Sequence, residues 1–251
     1  MTPGADRAPH PSGCRRRGAV LAMAGVAAAV GCALSAAAGV AAATSPAGQP
    51  LVVVLRDHAA RTAPRPQARK VETVASRRPL TGTRTVLPIL GQATGSNGAS
   101  WLRVRLPGRP NGHAGWISAH RTKRTTTPWQ IAVDLSERRL TVYRAGRPKR
   151  RFRAVVGRPS TPTPRGTYFV EEALALSPSD SGGPFALATS ARSNVYEEFE
   201  GGPGQIGIHG TDNLSGRPGT AVSHGCIRLR TRAITWIAGR IGAGVPLVIR
   251  R

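Results

Sequence analysis

The sequence is organised around two short stretches near its C-terminal end, Ile206-Gly-Ile-His-Gly-Thr211 and Ser223-His-Gly-Cys-Ile-Arg-Leu229. Both contain alternating apolar residues, a pattern typical of half-buried strands. If they form neighbouring strands, the turn-rich segment 212–219 between them brings His209 beside Cys226. A thiol becomes a strong nucleophile when a base takes its proton, and an imidazole oriented by a third group is a common base. The two stretches therefore predict a thiol enzyme.

Two backbone features of the second stretch suit acyl transfer. Gly225 has no Cβ, so the chain beside Cys226 can come close to a substrate. The backbone amides around Cys226 are then placed to stabilise a developing oxyanion.

Residues 1–43 are typical of an export segment. Three arginines, Arg15-Arg-Arg17, precede an uncharged run from Gly18 to Ala43 that ends in small residues. The run predicts a cleaved signal peptide, with a membrane anchor or lipid attachment at Cys32 as alternatives. We expect the protein to lie outside the cytoplasmic membrane, in the periplasm or the cell wall space, either secreted or anchored by residues 18–43.

The cysteine positions follow from this export segment. Of the three cysteines, Cys14 and Cys32 lie in or before it, which leaves Cys226 alone in the exported part. A single cysteine cannot form an internal disulfide. A small buried apolar residue is the alternative interpretation, but the flanking histidines and glycines favour a nucleophile.

The chain is strongly basic, with 36 Lys and Arg against 12 Asp and Glu and a net charge of +24. An exported protein with this positive charge is expected to bind anionic wall polymers or lipid headgroups. Nucleic acid is the usual alternative partner of a basic chain, but export argues against it. Residues 49–125 carry 14 basic and two acidic residues, and residues 126–251 carry 18 and nine, so the smaller part is the better candidate for this binding.

Residues 44–125 predict a small β-barrel-like domain, separated from residues 126–251 by a boundary near 123–128. Short apolar runs alternate with Gly- and Asn-rich turns, and the Pro/Arg-rich segment 61–79 is expected to be a long loop. On Trp101, Gly115 and Trp116 this part resembles a bacterial Src-homology-3-like module. The resemblance implies binding of wall peptides or packing against the second domain; the alternative is that the two tryptophans are simply core residues.

Residues 126–251 predict a mainly β fold, sandwich-like, with one or two helices. The runs 129–135 and 139–144 are expected to form a hairpin. A helix is expected over 232–241, with Thr231 as its cap and Gly242 at its end. Further strands are predicted at 152–156, 166–171, 183–188 and 245–249.

The two C-terminal stretches resemble the signature of the L,D-transpeptidase (YkuD-type) catalytic domain. That signature is a His-Gly followed by Ser-His-Gly-Cys, an apolar residue and Arg or Asn, and every position is filled here by His209-Gly210 and 223–228. The segment Gly157 to Gly166, with its Thr-Pro and Pro-x-Gly elements, is also similar to the family. The resemblance covers about residues 126–250.

The resemblance implies a peptidoglycan enzyme that contributes to cell wall biogenesis and cell shape. Its members attack the third residue of a tetrapeptide stem, usually a diamino acid, expel the terminal D-Ala and transfer the acyl group to an amine of another stem, giving a 3→3 cross-link. By position Cys226 is the nucleophile and His209 the base. The Gly210 carbonyl orients the imidazole, and His224 is a positioning or electrostatic group.

The resemblance also implies substrate-binding residues and an inhibitor class. Arg228 is expected to bind a stem carboxylate through its planar fork, and Ser223 and Gly225 are the other expected substrate-binding residues. The alternative is that Arg228 simply faces solvent. Tyr196 and the segment 185–200 are expected to form a lid. Carbapenem β-lactams are expected to acylate the cysteine, and no cofactor is expected.

Several alternatives remain open from sequence. The same thioester can be hydrolysed, which gives an L,D-carboxypeptidase, and a sortase-like thiol transpeptidase or a non-catalytic basic wall-binding protein are further candidates. His209, His224 and Cys226 could instead ligate zinc, but no fourth ligand is apparent and C-x-x-C pairs are missing, so no metal is expected.

Overall fold

The computed structural model describes residues 48–96, 98–199, 201–211 and 214–251, which belong to one compact unit. The predicted export segment, with Cys14 and Cys32, lies outside these residues. In the ranges described, no helix is long and apolar enough to cross a membrane.

Residues 48–127 form an antiparallel seven-stranded sheet, called the small sheet below. Its strands are β1 Gln49–Val54, β2 His58–Arg61, β3 Lys70–Val74, β4 Val86–Thr94, β5 Ser100–Arg105, β6 Ala114–Ser118 and β7 Thr122–Thr127. They lie in the order β3-β2-β6-β5-β4-β1-β7. Alternation buries one face, with Val52, Leu87 and Leu102 fully enclosed.

The Pro/Arg-rich segment is not one long loop, so that prediction was wrong. Strand β2 ends at Arg61 and β3 begins at Lys70, and the two pair antiparallel with Ala60 opposite Glu72. Val74 is buried at the end of β3 and joins the core of the small sheet. A short apolar strand inside a polar stretch carries little periodic signal, which explains the error. The resemblance to a Src-homology-3-like module stays a prediction.

Residues 129–250 form a mixed eight-stranded sheet, called the large sheet, with a two-stranded ladder beside it. The elements are β8 Trp129–Asp134, β9 Arg139–Arg144, β10 Arg147–Arg153, β11 Val156–Gly157, β12 Gly166–Ala175, β13 Phe185–Arg192, β14 Gln205–Gly210, β15 Ala221–Ser223, β16 Ile227–Leu229, α1 Thr231–Ala238 and β17 Pro246–Arg250. The large sheet runs β10-β9-β8-β17-β12-β13-β14-β16, and β11 pairs with β15. The predicted hairpin of β8 and β9 is confirmed, with Ile131 opposite Val142.

The large sheet folds back on itself around one apolar core. The segment after β10, at one edge, reaches β16 at the other, where Val155 and Arg228 exchange backbone hydrogen bonds of 2.9 and 3.0 Å. Side chains from both halves of the sheet, such as Leu140 and Ile227, share the core with Ile234 of α1. The mainly β fold with one described helix agrees with the class expected from sequence.

Helix α1 is present, but both of its predicted ends were wrong. Arg230 occupies the N-cap without a side-chain hydrogen bond, and Thr231 is the first helical residue. The helix ends at Ala238, and Gly239 is its C-cap, whose N–H bonds to the carbonyls of Thr235 and Ile237. Because Leu229 is still in strand β16, the chain must turn within one residue, so Arg230 takes the cap position whatever its propensity.

The two sheets are joined by apolar and charged contacts. Phe169 of β12 belongs to the core of the small sheet. Arg78 pairs with Glu171, and the other Glu171 oxygen accepts from Arg192 at 3.0 Å. Burial lowers the pKa of Arg192 to about 10, since desolvation disfavours its charged form. The domain boundary at residues 125/126 stays a prediction.

Candidate active site

Strands β14 and β16 pair in parallel and bring the predicted thiol and imidazole together. Ile208 lies opposite Ile227, so Gly207 adjoins Cys226, and the Gly207 N–H points at the sulfur with an N–Sγ distance of 3.4 Å. A Cβ placed on Gly207 would lie 4.0 Å from Cys226 Sγ and 3.6 Å from His209 Cδ2. Both side chains therefore lie on one face of the sheet, which confirms that the two stretches are neighbouring strands.

Hydrogen bonding fixes which nitrogen of His209 carries a proton. Nδ1 lies 2.8 Å from the carbonyl oxygen of Gly210. A carbonyl only accepts, so Nδ1 donates and Nε2 keeps its lone pair in the neutral ring. The Gly210 carbonyl thus occupies the orienting position expected of it.

The protein environment favours the neutral form of this imidazole. Burial lowers the pKa of His209 below its ordinary value because it removes water from the charged ring. The Gly210 carbonyl opposes this effect, and the Arg228 guanidinium adds to it through charge repulsion. A neutral ring beside a thiol is a proton acceptor.

A loop far upstream in sequence packs directly against this ring. Gly182 has φ +84°, and its carbonyl accepts from the Gly210 N–H at 2.7 Å. A Cβ on Gly182 would lie only 2.5 Å from His209 Nδ1, and one on Gly210 would overlap the Gly183 carbonyl. Because Gly182 and Gly210 have no side chains, the loop at 182–183 can pack directly against the Nδ1 side of the His209 ring.

Gly182→Ala is expected to slow alkylation of Cys226 at neutral pH by about tenfold or more, because the added methyl group displaces the imidazole. The matched control is Gly98→Ala, at φ +75° with no heavy atom within 4 Å of the added Cβ. Both variants carry the cost of alanine at positive φ, roughly 1–2 kcal/mol. Second-order rates with iodoacetamide compare them, and equal rates would contradict the role of Gly182.

The turn that carries Cys226 is held from within. Ser223 is fully buried, and its hydroxyl donates to the Cys226 carbonyl at 2.6 Å and accepts from the Gly225 N–H at 3.2 Å. Gly225 has φ +120°, and a Cβ there would meet Ile206 at 2.9 Å. In this arrangement both residues shape the turn, and contact of the Ser223 hydroxyl with a substrate would require the turn to open.

Two threonines of the Pro-rich segment complete this support. Thr161 donates to the Ser223 carbonyl at 3.1 Å, and Thr163 donates to the Gly225 carbonyl at 2.7 Å. The segment is similar to the family in sequence, but the sequence alone predicted no role for these threonines. The Thr-Pro-Thr-Pro pattern was the available signal.

His224 faces an aromatic pair, Tyr196 and Phe199. Its ring centroid is 6.1 Å from that of Tyr196 and 5.6 Å from that of Phe199, and the pair are 5.4 Å apart. Phe199 is 37% exposed, so the aromatic pair borders solvent. Of the predicted lid 185–200, residues 185–192 are strand β13 of the sheet, so the lid expectation was wrong for that half.

Arg228 lies level with His209 on the neighbouring strand. Its Nη1 donates to the Ser215 carbonyl at 2.8 Å, whereas its Nε is buried and has no hydrogen-bond partner among the described residues. No group of three His, Cys, Asp or Glu side chains in the described ranges is close enough to hold a metal ion.

The chain is similar to several known proteins. The family model for the L,D-transpeptidase catalytic domain, YkuD, matches residues 128–249. The chain is 33% identical over 124 residues to a protein of Bacillus licheniformis named L,D-transpeptidase YkuD, covering 49% of this chain and 67% of that protein. A protein of Bacillus subtilis with the same name is 29% identical over 126 residues, covering 50% and 68%. An L,D-transpeptidase crystal structure from Mycobacterium tuberculosis H37Rv aligns with a TM-score of 0.44 at 16% identity, over 66% of this chain and 90% of that one.

Proposed function

The chain belongs to the YkuD family of L,D-transpeptidase catalytic domains, and on this premise we propose that it is an exported peptidoglycan L,D-transpeptidase with Cys226 as its nucleophile. The observation that carries the proposal is the arrangement of Cys226 and His209 on one face beside Gly207. The bond from Nδ1 to Gly210 leaves Nε2 as the proton acceptor. The sequence of residues 15–43 supports export.

In the acylation step the imidazole and the thiol act together. His209 Nε2 takes the proton of Cys226, and the sulfur attacks the carbonyl carbon of the third stem residue. The negative charge on the carbonyl oxygen is stabilised by backbone amides around Cys226. When the C–N bond to D-Ala breaks, Nε2 returns its proton to the leaving amine, and a thioester remains.

The second step transfers the acyl group to an acceptor. The side-chain amine of a neighbouring stem attacks the thioester carbonyl and gives up a proton to Nε2, and the sulfur leaves with that proton as a thiol. The product is a 3→3 cross-link. The N–H of Gly207 stabilises negative charge on the sulfur whenever the thiolate forms.

Arg228 supports recognition of a carboxylate on the stem. One of its terminal nitrogens is used by Ser215, which fixes the guanidinium beside His209. Its Nε is buried and out of reach of a ligand, so the other terminal nitrogen is the donor that remains for a carboxylate. The same positive charge helps to keep His209 neutral.

The surface charge supports binding to anionic wall polymers or lipid headgroups. Strand β10, at the edge of the large sheet, carries five basic residues in seven, and all five are exposed: Arg147, Lys149, Arg150, Arg151 and Arg153. We therefore favour β10 as the contact for these polyanions. The charge counts from sequence had instead favoured residues 49–125. Salt should weaken the binding strongly.

Incubation with a carbapenem, followed by mass spectrometry of the intact protein, tests the proposal. Opening of the lactam ring adds the whole inhibitor, so the expected mass gain is that of one carbapenem molecule. Prior alkylation of the thiol with iodoacetamide should prevent the gain. No adduct on the untreated protein would contradict the proposal.

The fate of the thioester separates two activities of this same site. With a tetrapeptide stem and an amine acceptor, a transpeptidase gives a dimer, whereas a carboxypeptidase gives a free tripeptide. Amine and water attack the same carbonyl, so the acceptor side of the site decides between them. Chromatography of the products with mass detection distinguishes the two.

A further inference from the structure

The loop 107–113 between strands β5 and β6 of the small sheet reaches the end of strand β13 in the large sheet. The Gly108 N–H donates to the Ser190 carbonyl at 3.3 Å. Asn111 accepts from the Arg192 N–H at 2.8 Å and donates to the Arg192 carbonyl at 2.7 Å. Its side chain thus satisfies both backbone groups of the last residue of β13, as a neighbouring strand would.

Arg109 of the same loop holds the segment that follows β13. This segment, 193–204, is called the active-site loop below. One terminal nitrogen of Arg109 donates to the Pro203 carbonyl at 2.9 Å, and the other donates to the carbonyls of Ser193 at 2.9 Å and Tyr196 at 2.8 Å. Charged donors make stronger hydrogen bonds than neutral ones. The Arg109 guanidinium therefore links the start of the active-site loop at Ser193, its bend at Tyr196 and its end at Pro203.

The base of the active-site loop has a second attachment to the small sheet. Arg192, just before the loop, and Gln205, just after it, both donate to Glu171, at 3.0 and 3.3 Å. Glu171 is buried and also pairs with Arg78, which lies in the connection between strands β3 and β4 of the small sheet. The end of β13 and the start of β14 are therefore both fixed by Glu171. The direction in which the active-site loop leaves these two strands is then set by Arg109.

The far end of the active-site loop carries the aromatic pair. Tyr196 and Phe199 lie against His224, which is two residues before Cys226. Tyr196 is the link, because its carbonyl is held by Arg109 while its ring contacts His224. A continuous path of contacts thus connects loop 107–113 to the border of the thiol site.

We infer that the small sheet organises one side of the active site, with Arg109 as a positioning residue that holds the aromatic pair against His224. The inference rests on the proposed function for its consequence in catalysis. It assigns the small sheet a role inside the enzyme, besides any binding to the wall.

The test compares Arg109→Ala, Arg109→Lys and the control Arg103→Ala in the full chain. Arg103 is an exposed arginine on β5 of the same sheet. We expect Arg109→Ala to lower the rate of carbapenem acylation about tenfold and to leave alkylation by the small reagent iodoacetamide nearly unchanged. Lysine retains a charged donor and should restore part of the rate, and Arg103→Ala should behave as wild type.

A spectroscopic measurement makes the result independent of the enzyme assignment. The ring currents of Tyr196 and Phe199 are expected to shift the NMR signal of the His224 Hε1 proton, which is identified by its loss in His224→Gln. We expect this signal to move in Arg109→Ala and to stay in place in Arg103→Ala. An unmoved signal together with an unchanged acylation rate would overturn the inference. If the alanine variant does not fold, the same two measurements on Arg109→Lys decide the question. If wild type forms no adduct, the proposed function fails while the NMR comparison still tests the contact.

Discussion

Cys226→Ala is expected to abolish both carbapenem acylation and cross-link formation, with a loss of roughly 10⁴-fold or more, the scale seen when a covalent nucleophile is removed. The reason is that Cys226 is the only cysteine among the described residues, and its sulfur lies beside Gly207 and His209. Intact-mass measurement after incubation with a carbapenem, and chromatography of stem-peptide products, record the two losses.

The matched control for the thiol lies in the same chain. Cys32→Ala removes a cysteine outside the described residues, and full acylation should persist in it. Peptide mapping of the wild-type adduct should place the inhibitor on Cys226. Because Cys226 is small and half-buried, its replacement should change the free energy of unfolding by less than about 1 kcal/mol. Cross-linking that survives in Cys226→Ala would end the nucleophile assignment.

The pairing of the two reactive residues was predictable because local pattern controls it. Alternate isoleucines, Ile206 and Ile208, are buried, and Ile227 and Leu229 are buried on the neighbouring strand. Burial of these side chains sets which face His209 occupies, since a strand presents successive residues to opposite faces. The bond from His209 to the carbonyl of the next residue is equally local.

The groups that support the reactive pair were not predictable, because they come from distant parts of the chain. Gly182, Thr163 and Arg109 each act through a contact with a specific backbone group or ring. Such contacts depend on loop conformations and on the placement of one sheet against the other, and neither follows from periodicity. Only the Pro-rich segment around Thr163 gave a signal, through its resemblance to the family.

The errors in the fold have the same origin. Thr231 was expected to cap α1 by propensity, but the preceding strand places Arg230 at that position. Half of the predicted lid is strand β13, whose residues from Leu187 to Arg192 include the polar Thr189 and Ser190, both buried. Their hydroxyls bond to backbone groups of Ile206 and Phe169, so tertiary partners make the burial favourable.

His209→Ala is expected to slow acylation at neutral pH by about 10²- to 10⁴-fold, the usual contribution of a general base. His120→Ala, an exposed histidine in a turn of the small sheet, is the matched control and should react as wild type. The pH dependence gives a second readout. In wild type the base works when neutral, and burial lowers its pKa below 6.5. The acylation rate should therefore rise with pH through a value below 6.5 and be level from neutral pH upward.

The histidine variant should lose this level region. Without an imidazole to accept the proton, the thiol must ionise by itself, at a pKa of about 8.5 for an ordinary cysteine. The rate of His209→Ala should then continue to rise with pH up to that region, so the gap to wild type narrows as the solution becomes alkaline. A profile measured from pH 5 to 9 records both curves. A variant curve parallel to that of wild type would mean that His209 positions the substrate and that another group takes the thiol proton.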